Sequence, residues 1–539
     1  MKRISGVELF LWAIFFVSST VFGTDAYSFW QKRPSVKVTN VTVPGFENVK
    51  IQARLFQPNT MLDSQKPRPT VLLISPWSVG IVIYETKARE LAKHGYQVLA
   101  YSSRGWAGSE GEIDTGGPLD VADASRLIDW LIDVQHADPY AIGAAGISLG
   151  AGTALMAAAY DERIRAVASL SGWSDLYTSI FGNTTERFVW GNILDIASKV
   201  GGGKFPHKHH DTQKEALKNR DIASLREYTD VRSPIHLIDR FRQNQTAIFI
   251  SHNIQDFLFP SYDIWDFFQK LESPKAIRLQ PGIHASTEVV EVFGIGYEVW
   301  DDLISWFDLW LTQQTEANEW LENSIQIRPL HDNTKLQFGQ DSLERAVPER
   351  LFLSSAASRW KWGKLTAFDD DLQCCDSFTS NKNSGINSGV PLVYPLLNSF
   401  IPLETNINPL FIRRNRAAVY QMEVATQTFD ILGIPRVHLN LSSSHESGQI
   451  VVHLFRVDER GKWHLISLAP YSYYDQTPGE VFPLNISLFN GFSTISTGDR
   501  LVLAIDSYDL QFSPVHDEAY EITIHTDLGS YLDLPVSFR

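Results

Sequence analysis

The chain has 539 residues, 44% of them hydrophobic and 12% aromatic, the make-up of a folding protein rather than a disordered one and too long for a single core. A formal charge of −15 with no block of Lys and Arg excludes the clustered positive face that nucleic acid or an anionic membrane requires. The two cysteines, Cys374 and Cys375, are adjacent and cannot staple a long loop within the monomer, so a pair of thiols without a role is expected over a vicinal or intermolecular disulfide.

In chain order, Met1-Lys2-Arg3 precedes the apolar run Leu9 to Val17, and Val21-Phe22-Gly23 offers the small residues that signal peptidase inspects. That run falls well below the roughly 20 residues that span a bilayer. Residues 1–23 therefore read as a secretory signal peptide rather than an anchor, and the protein as secreted or periplasmic, with no membrane contact after cleavage. Val36 to Phe56 alternates apolar and polar residues like an antiparallel hairpin.

The period then changes. Thr70 to Ile74, Tyr96 to Tyr101, Ala141 to Ile147, Ile164 to Leu170, Thr246 to Ser251 and Ala276 to Leu279 read as buried strands. Between and after them, Tyr84 to Lys93, Asp120 to Val134, Ala151 to Ala159, Tyr262 to Leu271 and Tyr297 to Leu311 read as helices. Such alternation implies a doubly wound parallel sheet, spanning about residues 35–315. The pattern breaks for about 70 residues, from Trp173 to Gln243; an insertion at a strand's carboxyl end lies over the ligand crevice and is expected to form a cap, residues 173–243. From about Leu321 to the C-terminus the apolar runs are short, β-branched and separated by Gly, Pro, Asn and Asp, the pattern of an all-β sandwich or jelly roll over 321–539.

Chemistry enters at Gly146-Ile147-Ser148-Leu149-Gly150, where an apolar strand gives way to small helix-forming residues. This is the pattern of a nucleophile elbow, whose small flanks let a strained strand-to-helix turn hold the serine hydroxyl above the sheet. A serine needs a base in hydrogen-bond reach and a carboxylate to orient it, and in this fold they follow in the order Ser, acid, His. Asp256 and His284 meet that order on loops after later strands. Asp263 and Asp266 compete as the acid, and His252 and His331 as the imidazole, but His252 precedes Asp256 and His331 falls beyond the sheet. The oxyanion hole is expected to use the N–H of Leu149 and a donor from the Ser75-Pro76-Trp77 loop.

Arg104-Gly105-Trp106-Ala107-Gly108-Ser109-Glu110-Gly111 resembles the Arg-Gly-x-Gly-x-Ser-x-Gly loop of the cocaine esterase and X-prolyl dipeptidyl-peptidase family, peptidase family S15. Ala107 replaces the second Gly of that pattern. Gly172-Trp173-Ser174-Asp175, Arg232-Ser233-Pro234, the Asp256 and Gly282-x-His284 loops and the β tail follow in matching order, from about residue 35 to the C-terminus. The resemblance implies an α/β-hydrolase with a helical cap and a jelly-roll domain, carrying Ser148, Asp256 and His284 as its triad. It also implies hydrolysis of an ester, amide or X-Pro peptide through an acyl-enzyme, without a cofactor or metal. Trp77 stands where family members commonly carry a Tyr whose hydroxyl completes the oxyanion hole; an indole donates one hydrogen bond and accepts none.

The expected function is therefore a secreted serine hydrolase acting on a small ester or short peptide. The alternatives are an X-Pro dipeptidyl-peptidase proper, or an impaired hydrolase that serves as a binding protein. Oligomeric state stays open. In the cap, Glu186 and Asp195 are candidates to hold a free amino group, and Phe181, Phe188 and Trp190 suit an apolar acyl group. His207, His209 and His210 read as a solvated loop, and Gly201-Gly202-Gly203-Lys204 lacks the spacing of a phosphate loop.

Overall fold

The computed structural model describes residues 36–539 apart from 60–65, 207–214, 315–318, 340–345, 357–360, 370–372, 389–406 and a few further single or paired positions. The expected signal peptide and the His207–His210 cluster lie outside the described residues. The alternating stretch forms β1 (Val36–Pro44) and β2 (Lys50–Pro58), an antiparallel pair at one sheet edge. Strand β3 (Arg68–Ile74) sends Val71 and Leu73 into one apolar layer and Leu72 and Ile74 into another, so both its faces are covered.

Strands β4 (Gln97–Tyr101), β5 (Ala137–Ile147), β6 (Ile164–Leu170), β7 (Ala247–Asn253), β8 (Lys275–Gln280), β9 (Ile325–Ile327) and β10 (Leu336–Phe338) complete the sheet. Its order is β1-β2-β4-β3-β5-β6-β7-β8-β9-β10, parallel from β4 through β9. Helix α1 (Glu85–Lys93) packs on one face. Helices α2 (Pro118–Gln135) and α3 (Leu149–Tyr160) pack on the other. Between β6 and β7 the chain forms α4 (Leu176–Phe181), α5 (Phe188–Val200), α6 (Ile222–Asp230) and α7 (Ile238–Asn244). Helix α8 (Ser261–Lys270) joins the α2–α3 face, α9 (Ser286–Val292) follows β8, and α10 (Val299–Leu311) covers the α1 face with Trp300, Trp306 and Phe307.

The sheet runs on past the boundary expected near 315–321, because Ile325–Ile327 pairs with β8 and Leu336–Phe338 with β9. Three-residue strands hold too few positions to show a period. From Val347 onward the described elements of regular length are strands, mostly antiparallel, with the opening strand Val347–Ser354 paired to the closing Tyr531–Phe538. This all-β region buries its own core, which Phe257 of the α/β part also enters. Cys374 and Cys375 are bridged to each other, which corrects the expectation of two thiols without a role.

Candidate active site

Strand order reverses at β3, whose neighbours β4 and β5 continue on opposite sides, so the loops after β3 and β5 diverge and open a crevice at their carboxyl ends. Ser148 stands there with φ 57° and ψ −115°, far from the helical conformation that begins one residue later. A Cβ on Gly146 would lie 2.5 Å from the carbonyl carbon of Gly150, and one on Gly150 only 2.0 Å from the oxygen of Ile74. The ends of β3 and β5 and the first turn of α3 therefore meet backbone against backbone, which only glycine permits. The turn is fixed by the Ser148 N–H, which donates to the Leu170 carbonyl at 2.9 Å.

The structure brings the three expected side chains together. Ser148 Oγ lies 2.8 Å from His284 Nε2, and His284 Nδ1 lies 2.7 Å from Asp256 Oδ2. The other oxygen of Asp256 accepts the N–H groups of Leu258 and Phe259, both at 2.9 Å. The two loops are laced together as well, Ile254 N–H to the Gln280 carbonyl at 2.7 Å and Gln255 N–H to the Gly282 carbonyl at 2.9 Å. The rings of Phe259 and Trp190 meet the His284 imidazole edge-on, with centroids 4.8 and 5.7 Å away.

The rivals are engaged elsewhere. His252 is fully buried, its Nε2 is 2.8 Å from the Phe259 carbonyl, and burial pushes its pKa down, so it serves as a neutral donor. His331 packs at a tilt against His464, ring centroids 5.3 Å apart, beyond β9. Asp263 accepts the N–H groups of Ser174 and Asp175, both at 3.0 Å, and Asp266 pairs with Lys270 at 2.6 Å.

Leu149 opens α3 immediately after Ser148, and a first-turn N–H has no intrahelical partner. The expectation for the Trp77 side chain is corrected: its only donor, the indole N–H, goes to the Leu194 carbonyl on α5 at 3.1 Å. Trp77 also packs against Trp106 at 4.9 Å and Phe205 at 5.8 Å, so it holds the cap rather than facing the serine with a donor. The side chains of the Arg-Gly loop are likewise engaged away from the serine. Arg104 forms a buried two-pronged ion pair with Asp123 at 2.7 and 2.9 Å, and Ser109 is consumed by the Ser102 carbonyl at 2.7 Å.

Three further groups escaped the sequence reading. The Tyr84 hydroxyl donates to the Ile74 carbonyl and accepts the Ile147 N–H, both at 2.9 Å, tying β3 to β5 just below the elbow. Glu288 is fully buried and accepts the hydroxyls of Ser171 and Ser251 at 3.0 Å and the amide of Asn253 at 2.6 Å, joining the ends of β6 and β7 to α9. Arg187 donates to the carbonyls of Ser179, Thr178 and Phe257 and lies 4.3 Å over the Phe489 ring, and burial lowers its pKa to about 10. It thus joins cap, Asp256 loop and β region through one cation. None of the three has a local motif, since Tyr84 reaches 63 positions to Ile147, Glu288 117 to Ser171 and Arg187 70 to Phe257.

Ser148 and Leu149 lie in a cavity of about 1050 Å³. Helices α4 and α5 form its roof with Ile180, Phe181, Phe188 and Leu194, while Tyr474 and Pro514 of the β region close one side. At that side Arg220 of the cap lies 3.7 Å over the Tyr474 ring, and Thr185 Oγ1 is 2.9 Å from Ser472 Oγ. Glu186 faces the cavity with no ion pair among the described residues, and desolvation raises its pKa. Asp195 pairs with Lys199 at 2.8 Å.

Residues 47–286 match the family model of X-Pro dipeptidyl-peptidase (S15 family), and residues 412–529 match that of the X-Pro dipeptidyl-peptidase C-terminal non-catalytic domain. An α-amino acid ester hydrolase superposes with a TM-score of 0.73 at 15% identity, covering 95% of this chain and 98% of that one. A CocE/NonD family hydrolase from Staphylococcus aureus superposes with a TM-score of 0.68 at 11% identity, over 92% and 93% of the two chains. At these identities the likeness is one of fold. Among curated proteins, the uncharacterized protein YcjY of Escherichia coli (strain K12) is 30% identical over 156 residues, 29% of this chain and 49% of that protein. The match therefore spans about half the length of that relative. Among the described residues, no helix is long and apolar enough to cross a membrane.

Proposed function

Because the chain belongs to the X-Pro dipeptidyl-peptidase (S15) family of α/β-hydrolases, we propose that it is a serine hydrolase that cleaves an acyl ester through a covalent acyl-enzyme. The observation that carries this reading is the unbroken relay from Ser148 Oγ, which lines the cavity, through the His284 ring to Asp256, at 2.8 and 2.7 Å. In the proposed reaction His284 Nε2 takes the Ser148 proton as Oγ attacks the carbonyl carbon. Asp256 holds Nδ1–H and stabilises the imidazolium, while its bonds to Leu258 and Phe259 keep it oriented. The Leu149 N–H faces the developing oxyanion. The imidazolium then protonates the leaving alcohol, and a water activated by the same ring releases the acid.

Esters are favoured over peptides because the Trp77 indole N–H is committed to Leu194 and leaves the hole to main-chain donors. A weaker hole penalises amides more, since an amine is the poorer leaving group. Glu186 supports an acyl group that carries a free amine, as in an α-amino acyl ester, because an ammonium would offset its desolvation. The test compares kcat/KM for a short-chain p-nitrophenyl ester with that for Gly-Pro-p-nitroanilide on one preparation, alongside Ser148→Ala and fluorophosphonate labelling. The ester is expected to react faster, and Ser148→Ala to lose both turnover and label. Faster cleavage of the anilide would assign the X-Pro dipeptidyl-peptidase activity instead, and turnover without label would reject the serine mechanism. Residues 1–23 support export. Protein retained in the cytoplasm with those residues still attached, by fractionation and intact mass, would overturn that part.

A further inference from the structure

The mechanism uses none of Cys374, Cys375, His525 and Asp527, and none of the four lines the cavity. Their ligand atoms nevertheless all lie within 4.8 Å of one another. Two paired strands put them there. Asp376–Thr379 runs antiparallel to Glu521–Ile524, and Asp376 opposite Ile524 is the last pair, so Cys375 and His525 leave the same end of the ladder side by side. The two segments are pinned beyond it by the Thr526 hydroxyl on the Gln373 carbonyl and by the Ser355 hydroxyl on the Cys375 carbonyl at 3.1 Å. His525 is oriented by its Nε2, 2.9 Å from the Ser442 hydroxyl, which leaves Nδ1 facing Cys375 Sγ at 3.6 Å. Asp527 Oδ1 is 3.5 Å from the same sulfur.

We infer that these four residues form a binding site for a zinc-like divalent cation once the Cys374–Cys375 disulfide is reduced. With metal–sulfur bonds of about 2.3 Å and metal–nitrogen or metal–oxygen bonds of about 2.0 Å, the ligands of a tetrahedral ion stand about 3.3–3.8 Å apart. The sulfur–nitrogen and sulfur–oxygen separations of 3.6 and 3.5 Å already have that spacing. Two thiolates, an imidazole and a carboxylate suit zinc better than the hard cations, which take oxygen alone. The Ser442 contact is the kind of outer hydrogen bond that fixes the ring of a ligating histidine. The other mixed cluster, Asp175, Asp230 and His236, lacks sulfur, and its Asp175 already caps α4 through the Tyr177 N–H.

A small dithiol would supply the electrons: its two thiols close to a disulfide as the Cys374–Cys375 bond opens to two thiols, two electrons and two protons moving together. Each cysteine then gives up its proton as the ion binds, so oxidation and metal binding exclude one another. The full-length protein, reduced with a phosphine under argon and freed of reductant, is titrated with Co²⁺. Thiolate-to-cobalt charge transfer and strong visible bands of tetrahedral cobalt are expected to saturate at one ion per chain, to bleach on adding Zn²⁺, and to be absent from the oxidised protein. Cys374→Ser/Cys375→Ser is expected to abolish the bands, and His525→Ala/Asp527→Ala to weaken binding at least about tenfold, with near-ultraviolet circular dichroism verifying that both variants fold. No charge-transfer band in the reduced wild type overturns the inference, and so does undiminished affinity in His525→Ala/Asp527→Ala, which would mean that a bare dithiol binds the ion.

Discussion

The floor and the roof of the cavity are built in opposite ways. Ser148, Asp256 and His284 sit on short loops at the ends of buried strands, each held by main-chain bonds to the next loop. The α4–α6 segment above them leans more on single side chains: beside the main-chain bonds of Lys204 to Gly105 and Ile113, the Arg187 guanidinium reaches the Phe257 carbonyl and the Trp77 indole reaches Leu194. A floor of this kind tolerates loss of a reacting group without moving. The roof is expected to shift when one tether goes.

The largest effect tests the floor. Ser148→Ala and His284→Ala are each expected to lower kcat/KM at least about a thousandfold with an unchanged thermal midpoint, whereas His252→Ala alters stability far more than it alters the chemistry. A dead His252→Ala beside an active His284→Ala would reverse the assignment. Next comes the chief tether. Arg187→Met keeps the hydrocarbon stem but leaves three carbonyls without their donor, which is expected to cost about 3 kcal/mol and to lower kcat/KM through the Phe257 and Asp256 loop. Unfolding curves and kinetics that match the wild type would show that the roof does not depend on it.

Trp77→Phe sharpens the contrast by removing only the indole donor. If that N–H serves Leu194, KM rises while kcat stays within about threefold; a loss of about a hundredfold in kcat would return the indole to the oxyanion hole. The smallest effect is one of pH. Burial lifts Asp263 from its ordinary 3.8 to about 7, so its contribution to stability is full below about pH 4 and is lost as pH rises through about 7. Asp263→Asn keeps an acceptor for Ser174 and Asp175 without a charge. Its thermal midpoint, relative to wild type, is expected to rise between about pH 5 and pH 8, and an unchanged difference would refute the buried charge.

The same contrast explains what could be read in advance. The strands from Arg68 to Gln280 and their helices were legible to within a few residues because burial on both faces leaves unbroken apolar runs, and the glycines around Ser148 mark a contact that only they allow. Asp256 and His284 followed from order along the chain. Glu288 could not be anticipated, since a carboxylate early in a helix reads as a solvated cap and its partners, Ser171, Ser251 and Asn253, lie 117, 37 and 35 positions away. The Arg187–Phe257 and Trp77–Leu194 bonds were hidden for the same reason, and the short strands Phe429–Ile431 and Ser493–Ile495 carry no period at all.

The β region supplies Tyr474 and Pro514 to the cavity wall and so takes part in choosing what enters, although it offers none of the reacting groups. Ancestry therefore acts on two halves at once. A gene that lost its tail would open the cavity and also bare Phe257 and remove the Phe489 ring beneath Arg187, so the wall and the support of the Asp256 loop are inherited together. In breeding new selectivity, the loops around Tyr474 and Pro514 are accordingly the place to randomise first, since changes there leave the reacting groups in place.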